Sequence, residues 1–400
     1  MNKLTKEVVF QKRVLMRVDF NVEINQKGEV VDDYRIKRVL PTIKFLKKSG
    51  ALKIILISHL GQPTPNTKNT NEKKEFSLKP IAHYLSKTLR EKVYFIPDKI
   101  NSSLRKKIDK LPLGSLILLE NIRFYSGEEN NSLKFAQRLA QLGDVYINEA
   151  FAVSHRKNSS VCAITKFLPS YAGLLFTEEI QQLSDFLTFS HKPIVTILGG
   201  AKIKDKLPLI NNFSKQVDYI LIGGGLANTL LKSIGFTIGQ SLYESEMLKE
   251  ARRLKFTNCK LILPVDFCVA DKDNKVRHRA VNEVKESDKI LDIGLQTQKK
   301  FLKIIAKARM IFWNGPLGKI EDARFQKGTK QIILALSKNK DAKVLIGGGD
   351  TLKSFKLLKI RLSNFDTEKV FFSTGGGAML NYLAGEKLPG LEALNKKSKF

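Results

Sequence analysis

Short apolar runs alternate with amphipathic stretches along the whole chain. The runs are rich in Val, Ile and Leu and are continuous rather than alternating, which is typical of strands covered on both faces of a parallel sheet. In the first half the predicted strands are Val14–Val18, Ile54–Ile57, Val93–Ile96, Leu116–Leu119 and Val145–Ile147. In the second half they are Ile194–Leu198, Tyr219–Ile222, Leu261–Leu263, Met310–Trp313, Val344–Ile346 and Val370–Phe372. Helical patterns between the runs predict an α/β protein with two doubly wound, Rossmann-like parallel sheets.

The length and punctuation of the chain predict two domains joined by a hinge helix. A chain of 400 residues is too long for one ordinary core. The helical stretch Phe176–Phe189 is followed by Pro193 at the start of a strand, which indicates a stiff connector. We expect an N-terminal domain over 1–175, a connecting helix over 176–190, a C-terminal domain over 191–380 and a C-terminal segment over 381–400. The polar stretch Gln62–Phe76 is predicted to be a mobile loop.

Composition narrows the class of protein. Hydrophobic residues make up 42% and charged residues 27%, which is typical of a globular protein. No apolar run approaches the ~20 residues of a membrane helix, and the N-terminus lacks the order of a signal peptide. Three cysteines without a CxxC pair favour a reducing compartment. These features predict a cytoplasmic protein without a membrane partner.

The net charge of +30, from 69 Lys and Arg against 39 Asp and Glu, has two explanations. A nucleic-acid partner would be attracted by clustered cations, whereas a lysine-rich solvated surface would need no such partner. The basic residues are scattered in short groups, and no aromatic-studded nucleic-acid motif accompanies them. The pattern therefore favours a solvated surface and no specific nucleic-acid partner.

The strands predicted in the second half end in glycine. The segments that follow them are Gly199-Gly200-Ala201-Lys202, Gly223-Gly224-Gly225, Asn314-Gly315-Pro316, Gly347-Gly348-Gly349-Asp350-Thr351 and Ser373-Thr374-Gly375-Gly376-Gly377. Glycine lets the backbone approach a ligand and frees N–H groups at the start of the next helix, which is an anion site. Because ligands bind beyond the carboxyl ends of parallel strands, these segments predict a cradle for nucleotide phosphates.

This cradle differs from the common nucleotide motifs. The chain has no GxxxxGK[ST] loop, no GxGxxG after an early strand and no protein-kinase signature. Asp350 is a natural carboxylate for Mg²⁺, and it could equally cap the following helix. Thr351 is positioned for a phosphate contact.

The strands predicted in the first half end in charged and polar residues. The segments after them are Asp19-Phe20-Asn21, Ser58-His59-Leu60-Gly61-Gln62, Glu120-Asn121-Ile122-Arg123-Phe124 and Asn148-Glu149-Ala150-Phe151 with His155-Arg156, and Arg35 and Arg38 approach the first helix. Each arginine alone could form a surface salt bridge. Several at one sheet edge suit a small polyanion, because guanidinium groups bind carboxylate and phosphate at two points.

These segments also carry a resemblance to the phosphoglycerate kinase family, which covers essentially the whole chain. The matching segments, in order, are Arg17–Val22, Asp33–Ile36, Ser58–Gly61, Glu120–Phe124, Ala150-Phe151 with His155-Arg156, Gly199–Lys202, Leu263–Asp266, Asp292–Gly294, Trp313–Pro316, Gly347–Thr351, Ser373–Ala378 and Leu388–Leu391. The resemblance implies Mg²⁺-dependent phosphoryl transfer from 1,3-bisphosphoglycerate to ADP, giving 3-phosphoglycerate and ATP. It also implies a monomer that closes about its hinge.

The resemblance further implies which residues form the site. The acid would bind the N-terminal domain through Asp19, Phe20, Asn21, Arg35, His59, Leu60, Gly61, Gln62, Arg123 and Arg156. ATP or ADP would bind the C-terminal domain through Lys202, Lys206, Gly223, Gly224, Gly294, Asn314, Pro316, Glu321, Gly347, Gly348, Gly349, Asp350 and Thr351, with Asp350 as the metal ligand. Arg35 and Lys202 would clamp the moving phosphoryl group, and the N–H groups of Gly349 and Gly377 would add neutral donors.

Three residues depart from the family pattern. Gln62 stands where the family usually has Arg, Glu149 replaces the usual Asp, and Lys204 adds a charge between Lys202 and Lys206. We expect a raised KM for the acid rather than an inactive enzyme. Three alternatives remain open at this level: a nucleic-acid-binding protein, a kinase of another small carboxylate, and a nucleotide-binding protein without catalysis.

Overall fold

The chain divides into two compact units in the computed structural model, which describes residues 2–256 and 258–396. The N-terminal unit runs to Ile180 and includes the chain again from Lys387 onward, and the C-terminal unit is Gln181–Glu386. The last residues of the predicted C-terminal segment, 397–400, lie outside the described part of the chain. Within the described residues no helix is long and apolar enough to cross a membrane.

The N-terminal unit is built on a parallel sheet with the strand order β3-β4-β2-β1-β5-β6. Its strands are β1 Arg13–Arg17, β2 Lys53–Ile57, β3 Val93–Ile96, β4 Ser115–Leu119, β5 Val145–Asn148 and β6 Ser170–Ala172. Its helices are α1 Lys6–Val9, α2 Tyr34–Lys48, α3 Thr70–Glu75, α4 Lys79–Leu89, α5 Ser102–Asp109, α6 Ser126–Glu129, α7 Leu133–Ala140, the first part of α8 Leu174–Thr188, and α16 Pro389–Asn395. Helix α2 buries Ile36, Val39 and Ile43, which recur at helical spacing, against the apolar face of this sheet.

The C-terminal unit contains a second parallel sheet, in the order β15-β14-β13-β7-β8-β9, and a small antiparallel sheet, in the order β11-β10-β12. The parallel strands are β7 Ile194–Leu198, β8 Tyr219–Ile222, β9 Lys260–Ile262, β13 Met310–Asn314, β14 Lys343–Gly347 and β15 Val370–Ser373. The antiparallel strands are β10 Asp266–Ala270, β11 Val276–Ala280 and β12 Lys289–Ile293. The remaining helices are α9 Leu207–Phe213, α10 Gly224–Ser233, α11 Leu248–Arg252, α12 Leu295–Ile305, α13 Lys327–Lys338, α14 Gly349–Leu357 and α15 Gly376–Leu383.

The α/β prediction with two parallel sheets is confirmed, and the sequence missed four strands. Strand β6 is short, charged residues interrupt β11 and β12, and β10 contains an apolar run, Phe267–Ala270, that the sequence analysis did not assign. The prediction of a loop over Gln62–Phe76 is wrong in its second half, which contains α3. Asn69 caps this helix by accepting N–H bonds from Asn71 and Glu72, and Glu72 accepts bonds from Thr64 and Thr67.

The direction of the chain reverses at one point in each parallel sheet. In the first sheet the chain passes from β1 to β2 on one side and from β5 to β6 on the other side. The first reversal point therefore lies between β1 and β5. In the second sheet the same holds for β7 and β13, which define the second reversal point. Ligands of open α/β sheets bind beyond the carboxyl ends of the strands at such points. The residues after these four strands are therefore where a site is expected.

Glu149, directly after β5, connects three elements of the N-terminal unit. Its buried carboxyl group accepts N–H bonds from Leu175 (3.1 Å) and Phe176 (3.3 Å) at the start of α8, and a bond from the Thr42 hydroxyl on α2. Burial raises the pKa of Glu149 to about 7, even though these donors favour the ionised form. The residue caps α8 at its start. Because it is buried there, its carboxyl group titrates near neutral pH.

Glu149→Gln should change how stability depends on pH. The folded state keeps the Glu149 proton up to a pKa of about 7, whereas the unfolded chain releases it near 4.5, so ionisation destabilises the fold as the pH rises between these values. Relative to the variant, the parent should lose about 3 kcal/mol of unfolding free energy over that range. Urea unfolding across this range measures the difference. Glu75→Gln, at an exposed position, should follow the parent, and a parallel pH profile for Glu149→Gln would contradict the assignment.

Candidate active site

Asp19, directly after β1, organises the cationic groups at the first reversal point. Its buried carboxylate forms an ion pair with Arg35 from α2 and accepts the N–H of Asn21 (3.0 Å). Burial opposes ionisation of Asp19, yet its pKa is lowered, because the charge of Arg35, the N–H bond from Asn21 and the charge of Arg17 favour the ionised form. Asp19 is therefore an anion that holds Arg35 in one orientation.

His59, after β2, lies 3.8 Å from Asp19 and is only 3% exposed. Burial lowers the pKa of His59 well below its usual range, and the nearby charges of Arg17, Arg123 and Arg35 lower it further. The imidazole is consequently neutral at physiological pH. It can donate or accept a hydrogen bond here without adding another positive charge.

Arg17, the last residue of β1, is a buried cation that the prediction of site residues did not include. Its guanidinium donates to Ser160 (2.9 Å), lies 3.3 Å from Nδ1 of His59 and bonds the carbonyl of Val18. Ser160 in turn donates to the buried carboxyl group of Glu128 through its hydroxyl (2.5 Å) and its N–H (2.9 Å). The signal in the sequence was an arginine that ends an apolar strand.

The loop after β2 is fixed by side chains from the other strand ends. Asn21 accepts the N–H of Gly61 (2.9 Å), Arg123 donates to the carbonyl of Gly61 (2.5 Å), and Asn121 donates to the carbonyl of Leu60 (2.7 Å). Arg123 is 3% exposed, and burial together with the charges of Arg156 and Arg17 lowers its pKa. These contacts bring together most of the acid-binding residues that the sequence predicts.

The other predicted acid-binding residues lie around this cluster. Phe20 is buried, and its N–H donates to the hydroxyl of Ser58 (2.9 Å). Arg156 is half-buried and bonds the ring of His155 (3.3 Å). Gln62 is exposed on the loop after Gly61, so it supplies no charge where the family pattern has an arginine. We call Arg17, Arg35, Arg123 and Arg156, with Asp19 and His59, the arginine cluster.

Close backbone contact between β7 and β13 defines the second reversal point. The N–H of Gly199 donates to the carbonyl of Asn314 (2.9 Å), and the N–H of Gly200 donates to the carbonyl of Pro316 (2.7 Å). A Cβ atom at Gly199 would overlap the carbonyl groups of Gly315 and Pro316. Glycine is required here because two chain segments meet without room for side chains.

Two buried polar residues brace the strand ends below this contact. Thr351 accepts the N–H of Gly315 (2.7 Å) and donates to the carbonyl of Gly347 (2.9 Å). Asn314 donates to the same carbonyl (2.8 Å). Gly348 has a φ of 103°, and a Cβ atom there would press on the Asn314 amide. Asn314, Gly347, Gly348 and Thr351 thus shape the wall of the site from beneath.

A cavity of about 530 Å³ opens beside these strand ends, and we call it the glycine cavity. Predicted nucleotide-binding residues in its lining are Gly224, Pro316, Glu321 and Asp350; its lining also includes Gly200, Phe267, Ile293 and Leu317. Gly223 packs against Leu317 at the start of α10. Glycine backbone on one side and apolar side chains on the other suit a flat ring with a phosphate tail.

Gly294 does not line the glycine cavity, unlike several other residues that the sequence predicts to bind the nucleotide. It lines a second cavity of about 180 Å³, together with Cys268, His278 and Asp292. Asp292 lines both cavities, and its carboxyl group accepts N–H bonds from Ile293 (2.9 Å) and Gly328 (2.7 Å). Burial raises the pKa of Asp292 to about 7. Asp292 therefore ties β12 to the start of α13 between the two cavities.

Lys202 and Lys206 occupy contrasting environments on the segment after β7. Lys202 is exposed, whereas Lys206 is 7% exposed and donates to the carbonyl of Gly199. Burial lowers the pKa of Lys206 to about 8, although Asp350, Asp205 and Glu244 counteract the shift. A bound anion would stabilise the charged form of this ammonium group.

Glu244 holds the segment that carries Lys202 and Lys206, which we call the lysine segment, and no sequence motif marks this residue. Its carboxylate accepts the N–H groups of Ile203 (2.5 Å) and Lys204 (3.0 Å). Its own N–H donates to Thr229 (3.2 Å), whose hydroxyl donates to the carbonyl of Gly225 (3.2 Å). Glu244 thus connects the lysine segment, through its carboxylate, to the glycine-rich start of α10, through its N–H.

Two further helix starts lie at the carboxyl ends of this sheet. Gly348 caps α14, so Asp350 is the second residue of the helix, and the prediction that Asp350 could be the cap is wrong. Gly377 is the second residue of α15 and is exposed. Gly349 and Gly377 lie in first turns, where N–H groups have no partner within the helix.

Asp350 fits a role as the single protein ligand of Mg²⁺. Its carboxylate is exposed and lines the glycine cavity, and carboxylate oxygen is the ligand type that Mg²⁺ prefers. Residues 2–256 and 258–396 contain no group of three or more His, Cys, Asp or Glu arranged for a metal.

Comparisons with known proteins agree with this geometry. The model of the phosphoglycerate kinase family matches residues 4–386. A curated phosphoglycerate kinase of Coprothermobacter proteolyticus is 40% identical over 391 residues, which covers 96% of each chain. The solved structure of phosphoglycerate kinase from Coxiella burnetii has a TM-score of 0.81 at 35% identity, and that from Pyrococcus horikoshii has 0.84 at 30%. Each covers 98% of both chains.

Glu244→Ala should weaken nucleotide binding selectively. Without the carboxylate, the N–H groups of Ile203 and Lys204 lose their acceptor, and the segment that carries Lys202 and Lys206 loses its fixed position. We expect KM for ATP to rise about tenfold, or ~1.4 kcal/mol, while KM for the acid substrate stays unchanged. Steady-state kinetics with each substrate varied in turn measures both constants.

Glu246→Ala is the matched control, because Glu246 is exposed and its carboxylate contacts only Ser245 nearby. It should leave both constants at the parent's values. An equal rise of the two KM values in Glu244→Ala would contradict a selective role in nucleotide binding, and a fall of kcat with unchanged KM values would indicate loss of folded enzyme. Glu244→Asp should restore part of the nucleotide affinity.

Proposed function

The chain belongs to the phosphoglycerate kinase family, and on that premise we propose that the arginine cluster binds the acid substrate and the glycine cavity binds the nucleotide. It is a phosphotransferase of glycolysis, whose reaction converts 1,3-bisphosphoglycerate and ADP into 3-phosphoglycerate and ATP. ATP and ADP are its substrates. The proposal assigns named residues to the two ligands and to the transfer step.

One observation carries the assignment: the two reversal points have opposite kinds of chemistry. Side chains with fixed positive charge lie at the first, and glycine backbone with helix starts lies at the second. Charged side chains suit a small acid that has a carboxylate and a phosphate, because each anionic group can accept two N–H bonds from a guanidinium. Backbone N–H groups suit the phosphate tail of a nucleotide.

In the acid-binding region the ionised Asp19 orients Arg35 toward the carboxylate that gains or loses the phosphoryl group. Arg123 and Arg156 provide further guanidinium groups, and the neutral His59 contributes a hydrogen bond without repelling them. The loop Leu60-Gly61-Gln62 closes this region with backbone groups. The acceptor is already a carboxylate, so the transfer needs no general base.

In the nucleotide-binding region backbone and lysine groups hold the phosphates. The proposal places the ring between Gly223–Gly224 and the apolar wall near Pro316 and Gly294, and Glu321 near the ribose. Lys206 contacts a phosphate from its buried position, while Lys202 and the N–H groups of Gly349 and Gly377 face the charge that spreads over the transferred oxygens. Mg²⁺, held by Asp350 and the phosphates, would neutralise part of that charge. We also propose a monomer that acts in the cytoplasm.

The deciding experiment is Mg²⁺-dependent ATP turnover with 3-phosphoglycerate, coupled to reduction of the product, beside a panel of other small acids. Turnover specific to 3-phosphoglycerate is the expected result. Nucleotide binding with turnover on another carboxylate would overturn the acid assignment and draw attention to Gln62. Turnover that persists without divalent cations would overturn the role of Asp350.

Arg35→Ala should remove most of kcat and leave nucleotide affinity unchanged. Arg35 is the cation that Asp19 orients, so its loss removes charge stabilisation from the transfer step, for which we expect a fall of about 10²–10³-fold. Lys37→Ala, two residues further along α2 and exposed, is the control and should keep the parent's kcat. Turnover and ATP titration measure the two effects. A variant with the parent's kcat would refute the role.

Gln62→Arg should lower KM for 3-phosphoglycerate. The change places a guanidinium group on the exposed loop after Gly61, where one charge-assisted contact is worth up to ~1.5–3 kcal/mol and less with solvent screening. We expect a decrease of about three- to tenfold at unchanged KM for ATP. Gln62→Ala, which adds no charge, should leave KM as it is. No decrease in Gln62→Arg would mean that a neighbouring cation already fills the role.

A further inference from the structure

Helices α12 and α13 lie side by side in the C-terminal unit and end at the same level. The side chain of Asn339, just after α13, donates to the carbonyl of Ile305 (2.7 Å) at the end of α12 and to that of Ala308 (3.1 Å). Both helices bury apolar residues, among them Phe301, Ile305 and Ile332, whereas Leu295 and Leu334 are exposed. Their outward faces therefore form one continuous surface.

That surface carries lysine and no acidic residue. Neither Leu295–Ile305 nor Lys327–Lys338 contains Asp or Glu. The exposed lysines on these helices and on the residues that follow them are Lys299, Lys300, Lys303, Lys307, Lys327, Lys330, Lys338 and Lys340. We call this set the lysine face. Among the described residues none of these lysines has an acidic partner in an ion pair, and the nearby Asp341 pairs with Arg309 (2.9 Å).

The high lysine content of the chain does not by itself explain a face of eight lysines formed by two helices without an acidic residue. Helix α2 also has many cations, but Lys37 pairs with Asp33, Arg38 with Glu178 and Lys47 with Glu91. On α5, likewise, Lys107 pairs with Asp98. Helix α4 also lacks Asp and Glu, but it presents only two exposed lysines, Lys79 and Lys87. The lysine face combines two adjoining helices without an acidic residue, so like charges repel one another there unless an anion lies against them.

We propose that the lysine face docks the sugar-phosphate backbone of double-stranded DNA, without sequence preference. Lysine is a flexible point charge that binds phosphate but carries little geometric information about bases. Lys299, Lys303 and Lys307 recur at every fourth position and span roughly 12 Å, which matches three to four phosphate steps of one strand. Lys330 and Lys338 span a similar distance on the neighbouring helix.

Duplex DNA fits this face better than other polyanions do. Packed helices lie about 8–10 Å apart, so two rows of long side chains can reach the phosphates on both sides of a minor groove about 6 Å wide. The minor groove of an RNA duplex is wide and shallow. A single strand would require aromatic side chains for stacking, and the one aromatic residue of the two helices, Phe301, is buried. A bilayer would require an extended outward apolar face, whereas the large apolar side chains exposed on these helices are two separate leucines, Leu295 and Leu334.

The test compares two charge-matched variants in binding to a labelled DNA duplex by fluorescence anisotropy over a range of salt concentrations. The first variant replaces Lys299, Lys303, Lys330 and Lys338 by Gln. The control replaces Lys44, Lys73, Lys87 and Lys106, which are exposed on the N-terminal unit and have no ion pair, by Gln. Both lower the net charge equally. Kinase activity should be unchanged in both, which verifies their folding.

The parent should bind the duplex at low salt with a steep salt dependence. The first variant should lose most of this affinity, and its log–log salt slope should be shallower by about 3, because each lost phosphate contact contributes ~0.9. The control should keep the parent's slope within about 1. An equal loss in both variants would overturn the proposal in favour of net charge alone.

Three further measurements decide the identity of the partner. Single-stranded DNA, duplex RNA of the same length and vesicles with an anionic lipid are offered to the parent under the same conditions. Weaker binding of all three than of duplex DNA supports the proposal. Equal or tighter binding of any of them, with the same sensitivity to the first variant, would overturn the assignment to duplex DNA.

Discussion

Both proposed binding regions, the arginine cluster and the lysine segment beside the glycine cavity, contain basic groups that are buried with too few acidic partners. This constraint governs the rest of the two sites. Burial lowers the pKa of Lys206 to about 8 and lowers that of Arg123 and His59. Such desolvation is unfavourable, and only partial compensation comes from Asp19 and Asp350. On the proposed assignment, the anionic substrates would supply the charge that the folded protein lacks. The stability of the ligand-free fold is thus lowered for affinity, which is common at functional sites.

The backbone makes this arrangement possible. In the C-terminal unit Gly199 and Gly315 meet with no room for a Cβ atom, so the ends of β7 and β13 form a rigid floor beside the glycine cavity. Thr351 fixes the same floor from below. In the N-terminal unit the corresponding role falls to side chains, because Asn21, Asn121 and Arg123 hold the loop after β2. Rigid support of this kind places donors before the ligand arrives, which reduces the reorganisation needed during transfer.

Local patterns predicted the parts of the fold that depend on burial, and failed where contacts are distant in sequence. The strands of both parallel sheets, apart from the short β6, were predictable because most of their residues are buried and form continuous apolar runs. Strand β11, Val276–Ala280, is half-exposed and charged, so no apolar run marks it. Arg17 and Glu244 act through partners far away in sequence, at Ser160 and at Ile203, and no local spacing reveals such pairs. The family resemblance supplied site residues only where it matched a motif.

The lysines of the chain show that residues far apart in sequence can form one charged surface in the fold. Along the sequence the lysines of α12 and α13 form two groups with a strand and a loop between them, which favours a reading as ordinary surface. The fold then sets the two helices side by side and joins their ends through Asn339. Repulsion within such a face grows with each added cation, and it is screened only over about 8 Å at physiological ionic strength. Eight of the lysines thus lie on one face formed by two helices that carry no acidic residue, and this local excess of positive charge is the feature from which we infer an anionic partner.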